Sequence, residues 1–199
     1  MISEVVNKKD EMEEIKCLFE KTQSNIRRIQ DYGGEFYYPV LNEWRYVTEY
    51  AIRALVSPSE RELAISELRE RLLKAYNDSC LILADCCLAV LLPKVKALKK
   101  IAVFRVELRD RVVEAVERLR LVRKMRMELF DLGLADRKEA VELVEAIAAL
   151  RPVFELVIET EDLIRIELRR RLIFRVTFFL CGVLELIAVI VFLAWFLGR

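Results

Sequence analysis

The run LIFRVTFFLCGVLELIAVIVFLAWFLGR, Leu172 to Arg199, decides how the rest of the chain is read. From Val176 to Leu197 it is apolar almost without interruption for about 22 residues, and a helix needs roughly 20 to cross the hydrocarbon core of a bilayer. Most of these side chains are Val, Leu, Ile or Phe, each favouring insertion by about 0.3–0.6 kcal/mol at depth. The lone charge, Glu185, opposes insertion with about 3 kcal/mol, so the balance favours crossing. A helix apolar on every side has no face to give to water.

The flanks give the direction. Arg169, Arg170 and Arg171 precede the run, and Arg175 lies just inside it, where a long side chain can snorkel back to the headgroups. The excess of positive charge on the N-terminal flank predicts that this side is cytoplasmic. Trp195 suits the opposite interface. The expectation is a tail-anchored, single-pass membrane protein with its N-terminal domain in the cytoplasm and membrane lipid as its first partner. Residues 1–168 form the cytosolic domain and residues 169–199 the anchor with its basic flank.

Glu185 falls near the middle of the predicted span. At helical spacing, Cys181, Gly182, Glu185, Ala188 and Val189 share one face. Small residues let backbones approach closely, and a carboxyl group in lipid needs a hydrogen-bond partner. One span offers no internal partner, so the sequence points to a homo-oligomer assembled through this face.

The remainder is a helical sequence. It is 55% hydrophobic and 33% charged, with five Gly and four Pro in 199 residues, a profile of long helices. The predicted fold class is all-α: an antiparallel helical bundle with coiled-coil-like helices, continuing into a single C-terminal transmembrane helix. Net charge is +1. The N-terminus, MISEVVNKKDEMEE, lacks the apolar core of a secretory signal. The five cysteines, at 17, 80, 86, 87 and 181, show no paired spacing and read as reduced, mostly buried thiols.

The chain has no histidine. That removes Ser-His and Cys-His nucleophiles and His-based acid–base chemistry. Neither phosphate-cradling glycine motif is present. The sequence therefore offers no catalytic residues, no metal ligands and no cofactor, and is read as non-enzymatic.

In chain order, a first helix is expected over about Ser3–Gln30, with Val6, Met12, Ile15, Leu18, Phe19, Ile26 and Ile29 as its apolar stripe. It ends at Gly33-Gly34, and a second helix runs from about Pro39 to Val56. Between them the composition turns aromatic: Tyr32, Phe36, Tyr37, Tyr38, Trp44, Tyr46 and Tyr50, with Arg27, Arg28, Arg45 and Arg53 nearby. Tyr, Trp and Arg offer much contact area at small entropy cost. Arg28, Tyr32, Tyr37, Tyr38, Trp44, Arg45, Tyr46, Tyr50 and Arg53 are thus the candidate surface for a cytosolic protein or small ligand. The competing reading is a helix hairpin whose Tyr hydroxyls reach the bundle rim.

Ser57-Pro58-Ser59-Glu60 predicts a capping box at the start of a third helix. Cys80–Leu92 is apolar but too short to span a bilayer, so it reads as a buried core helix. Asp78 and Asp85, seven apart, read as salt-bridge partners. Pro93 is expected to kink or break the chain. The next helix, to about Phe130, is basic, with twelve Lys or Arg against five Asp or Glu between Lys94 and Glu128. Its seam is Phe104, Leu108, Val112, Ala115, Leu119, Val122 and Leu129.

After a short connection, Asp136 and Glu139 predict another cap. The segment Asp131–Leu168 carries ten Asp or Glu against four Lys or Arg. Its seam is Leu143, Ile147, Leu150, Phe154, Val157, Ile164 and Leu168. Opposite charge predicts that basic and acidic helices pair antiparallel; a basic face lying on anionic lipid is the rival reading. Nucleic acid is disfavoured, because no basic cluster stands free of acids. A kink is expected at Pro152, with one helix continuing from there to Leu197.

The function class these features indicate is a membrane-anchored interaction or scaffold protein. The alternative is an oligomeric membrane-perturbing or pore-forming effector, triggered through the bundle; in arrangement alone the chain resembles single-span effectors of bacterial defence systems.

Overall fold

The long helix α3 (Arg61–Ile101) is the axis on which every other element packs. A computed structural model describes residues 2–32, 38–132 and 137–197. The other elements are α1 (Ile2–Asp31), α2 (Tyr38–Val56), α4 (Val106–Leu132), α5 (Arg137–Ala148), α6 (Arg151–Glu159) and α7 (Glu161–Leu197). No strand occurs among the described residues. The all-α bundle with one long apolar C-terminal helix is the fold read from the sequence.

Side-chain pairs fix the directions. Glu14 pairs with Arg69 at 2.9 Å, and Asn25 donates to Ser79 at 3.1 Å, so α1 runs parallel to the first half of α3. Glu43 of α2 meets Arg71 and Lys74 while the two helices join at residues 57–60, so α2 is antiparallel to α3. On the second half, Arg126 forks onto Asp85 at 3.0 and 2.9 Å, which makes α4 antiparallel to α3. Arg118 donates to the Ala149 carbonyl and Arg111 pairs with Glu159, so α5–α6 runs antiparallel to α4. Two three-helix layers therefore share α3.

The core follows α3 along its length. Leu72, Tyr76, Cys80, Leu83, Ala84, Cys87, Leu91 and Leu98 are at most 2% exposed. The apolar run from Cys80 is the buried helix its composition predicts. Most of the two later seams matches as well, with Leu119, Val122, Leu129, Leu143, Ile147 and Leu150 sealed against it, but Leu168, the last residue of the second seam, lies in α7 and is 40% exposed. The α4–α5 seam is mainly apolar. Arg111 reaches Glu159 at 2.7 Å, but Arg118 turns to Glu114 of its own helix, so charge pairing supports this interface rather than forming it.

Several local expectations are corrected. Pro93 does not break the chain; it lies inside α3, and the break falls at residues 102–105. Proline removes the bond to the carbonyl four residues back, at a cost of about 3 kcal/mol. Here Pro93 and Ala89 both lie on the exposed face, where that carbonyl can meet water, while Leu91 and Val95 hold the helix from the other side. Phe104, placed in the α4 seam by spacing, sits in the break and is 86% exposed.

Ser57 makes no side-chain cap bond; a short 3-10 turn, Pro58–Glu60, precedes α3 instead. The α1 stripe also shifts. Met12 is exposed, and the buried line runs Ile15, Leu18, Thr22, Asn25 and Ile29. Thr22 satisfies itself on the Leu18 carbonyl at 2.7 Å, and Asn25 on Ser79 and Cys80, which lets polar residues sit in the stripe.

The single helix expected from Pro152 to Leu197 is two helices. Pro152 lies in the first turn of α6, and the chain leaves helical geometry at Thr160 (φ −109, ψ 16). The Thr160 hydroxyl donates to the Leu156 carbonyl at 2.6 Å, a local bond that competes with helix continuation. Glu161 and Asp162 then occupy the first turn of α7, where acids favour a helix start. Gly33-Gly34, Asp136 and the α4–α5 connection at 133–136 lie outside the described residues.

Candidate membrane and partner surfaces

α7 has 37 residues and extends about 55 Å at 1.5 Å per residue. Its first turns belong to the bundle: Ile164 is buried, and Glu167 and Arg171 are largely covered. Its apolar part does not. Ile173, Phe174, Phe178, Leu184 and Ile187 are each at least half exposed, and an 18-residue stretch with mean hydropathy 2.3 has no buried residue. By length and composition this helix is sufficient to cross a membrane.

Because α7 is continuous through this region, Cys181, Gly182, Glu185, Ala188 and Val189 fall within an arc of roughly 120°. All five are exposed, and a Cβ added at Gly182 would meet nothing within 4 Å. The side chain of Trp195 lies outside the described residues. Of the flanking cations, Arg171 bonds Glu167 at 3.1 Å and the Lys96 carbonyl at 3.2 Å. Arg170 and Arg175 line the groove between α7 and the end of α3; Arg169 is exposed.

The aromatic–arginine set divides among three places. Tyr32, at the end of α1, stacks on Phe154 of α6 with ring centroids 5.4 Å apart. That stack joins the two layers, and the hydroxyl lies near Cys87 and Arg28. Burial first, and then Cys87, push the Tyr32 hydroxyl above its ordinary range. Trp44 stacks on Phe19 at 4.9 Å, in the α1–α2 seam.

The third place is the outer edge of α2. Arg45 and Arg71 lie 5.1 and 4.9 Å from the centre of the Tyr46 ring, and Arg53 lies 5.6 Å from that of Tyr50. Tyr37 and the Tyr38 side chain lie outside the described residues. The surface still open to a partner is thus Arg45, Tyr46, Tyr50 and Arg53, while Tyr32 and Trp44 act as internal packing.

Beneath that edge is a charge cluster the sequence pattern did not disclose. Glu43 is 4% exposed and lies 2.6 Å from Lys74 and 3.3 Å from Arg71. Asp78 sits close by, its carboxyl raised by burial, lowered by Lys74 and raised again by Glu43. A buried Glu on α2 leaves no periodic signal, because its partners are two cations nearly thirty residues away. Asn77 is 3% exposed, and neither amide atom has a hydrogen-bond partner.

The five cysteines are free. Burial pushes Cys80 up to about 12 and Cys87 up to about 11, so neither is a thiolate at neutral pH. Comparison with protein-family models, curated proteins and solved structures finds no match, so function is argued from these residues alone.

Proposed function

We propose that this chain is a non-enzymatic, membrane-tethered interaction protein. The bundle faces the cytoplasm and binds a partner through the Arg45–Tyr46–Tyr50–Arg53 edge, and the membrane helix self-associates through the Glu185 face. The observation that carries this reading is the behaviour of α7: its first turns are rooted in the bundle as far as the groove at Phe174 and Arg175, and its apolar length is left exposed. Arg169, Arg170, Arg171 and Arg175 on the bundle side support the cytoplasmic orientation.

The mass of the purified protein in mild detergent tests self-association. The wild type is expected above monomer mass, and Glu185→Leu at lower copy number, because a carboxyl group in lipid gains from a neighbour's hydrogen bond. A monomer for both removes the oligomer.

A second reading, an effector that perturbs the membrane once assembled, is favoured by one observation. Glu185 is a polar group at mid-span on a helix rooted in the bundle, so bundle movement can tilt or gather the spans. A membrane-potential dye in expressing bacteria tests it: depolarisation lost in Glu185→Leu supports the effector, and unchanged potential in the wild type contradicts it.

A further inference from the structure

α3 and α7 meet at the point where α7 leaves the bundle. Pro93, Lys96 and Lys100, on successive turns of α3, line one groove with Arg171, Phe174 and Arg175. The Arg171 bond to the Lys96 carbonyl closes it at 3.2 Å. If α7 enters lipid just beyond Arg171, the end of α3 is held beside the point of entry.

The corner beyond Lys100 has an unusual surface. The chain turns at residues 102–105, and Val103, Phe104 and Val106 are 68%, 86% and 77% exposed. Phe104 is the most exposed large apolar side chain among the described residues. Lys99, Lys100, Arg105 and Arg109 are exposed around it and outnumber the exposed acids there, Glu107 and Asp110. From Lys96 to the end of α3 is five residues, about 8 Å of helix, so this corner stays within about 15 Å of Arg171. An apolar tip collared by cations is suited to the headgroup zone of an anionic bilayer.

A second apolar corner, Leu55, Val56 and Leu63, is 82%, 73% and 68% exposed, but it lies at the other end of α3. That helix has 41 residues, about 60 Å, so the second corner lies far from the point where α7 leaves the bundle.

We propose that the α3–α4 corner is a second membrane contact: Val103, Phe104 and Val106 insert into the leaflet that α7 enters, and Lys99, Lys100 and Arg105 lie among anionic headgroups. The proposal rests on α7 spanning the bilayer. It makes the bundle lie in a fixed attitude on the membrane instead of swinging from one helix.

The test uses the full chain in nanodiscs of brominated phosphatidylcholine, with and without brominated phosphatidylglycerol. Trp195 reports the span, as the difference between wild type and Trp195→Phe. Phe104→Trp and, separately, Leu55→Trp are then placed in the Trp195→Phe chain, and each is read as its difference from that chain, which keeps Trp44. The expected result is blue-shifted emission at 104, quenched by the brominated chains and more strongly with phosphatidylglycerol, and no quenching at 55. No quenching at 104 while Trp195 is quenched overturns the corner contact and leaves the span standing. No quenching at Trp195 overturns the membrane reading itself. A blue shift at 104 without quenching means that protein covers it and overturns the proposal, as does equal quenching at 104 and 55. Equal quenching in both lipids overturns the role of the cations.

Discussion

Arg171 donates to the main-chain carbonyl of Lys96 at 3.2 Å while its Nε is held by Glu167 at 3.1 Å. Among the described residues, this guanidinium is the last polar link between the bundle and the apolar length of α7. Arg171→Ala is expected to loosen that joint at a cost of about 1 kcal/mol or less, the usual net worth of such a bond. Hydrogen exchange of amides 161–171 in nanodiscs should quicken, with residues 72–91 unchanged. Unaltered exchange at 161–171 would mean that apolar packing around Ile164 carries the joint alone.

Glu43 is the group on which the α2–α3 edge depends. Removing one partner of a buried charge cluster is costly, but Arg71 and Lys74 are 33% and 36% exposed and can recover water. Glu43→Ala should therefore lose about 2 kcal/mol, below the 3–5 typical of sealed pairs. It should also free Arg71 to move from the Tyr46 ring. Denaturant unfolding in detergent measures the loss; a change under about 0.5 kcal/mol, the usual range for a surface substitution, would show that the cluster is only decorative.

Asn77 places an amide in the core without a partner. Leaving such a group unpaired costs about 1–3 kcal/mol, so Asn77→Leu, of similar size, should raise stability. A lower unfolding midpoint with an unchanged denaturant slope would contradict this.

Asp78 gives a pH signature. Burial is the main cause that raises its folded pKa, so folding favours the protonated form. Stability from this group is complete below the unfolded value of about 3.9 and is lost as pH rises through the raised folded value. Asp78→Asn lacks that loss. It should be more stable than wild type at pH 7, with the difference vanishing by about pH 3. A wild type that is the more stable at pH 7 would mean attraction to Lys74 outweighs burial.

The parts of the fold legible in the sequence are those written as period. The run from Cys80, the seams through Val112–Leu129 and Leu143–Val157, and the apolar length of α7 each repeat one chemistry at helical spacing. Burial then follows from geometry alone. The misreadings lie where one residue's local cost was set by surroundings far away. Pro93 breaks an isolated helix, but not one whose opposite face is sealed. Thr160 ends a helix that its apolar pattern continues. The aromatic cluster looked like one surface because its members are neighbours in sequence. Tyr32 and Trp44 instead found Phe154 and Phe19, and Glu43, unmarked by any pattern, became the centre of the edge that remained.

The most direct measurement is the fate of the full chain when membranes from expressing cells are washed in alkaline carbonate. With α7 inside lipid, the protein stays in the membrane pellet and is released only by detergent. Recovery in the aqueous wash as a monodisperse monomer would contradict the account at its root.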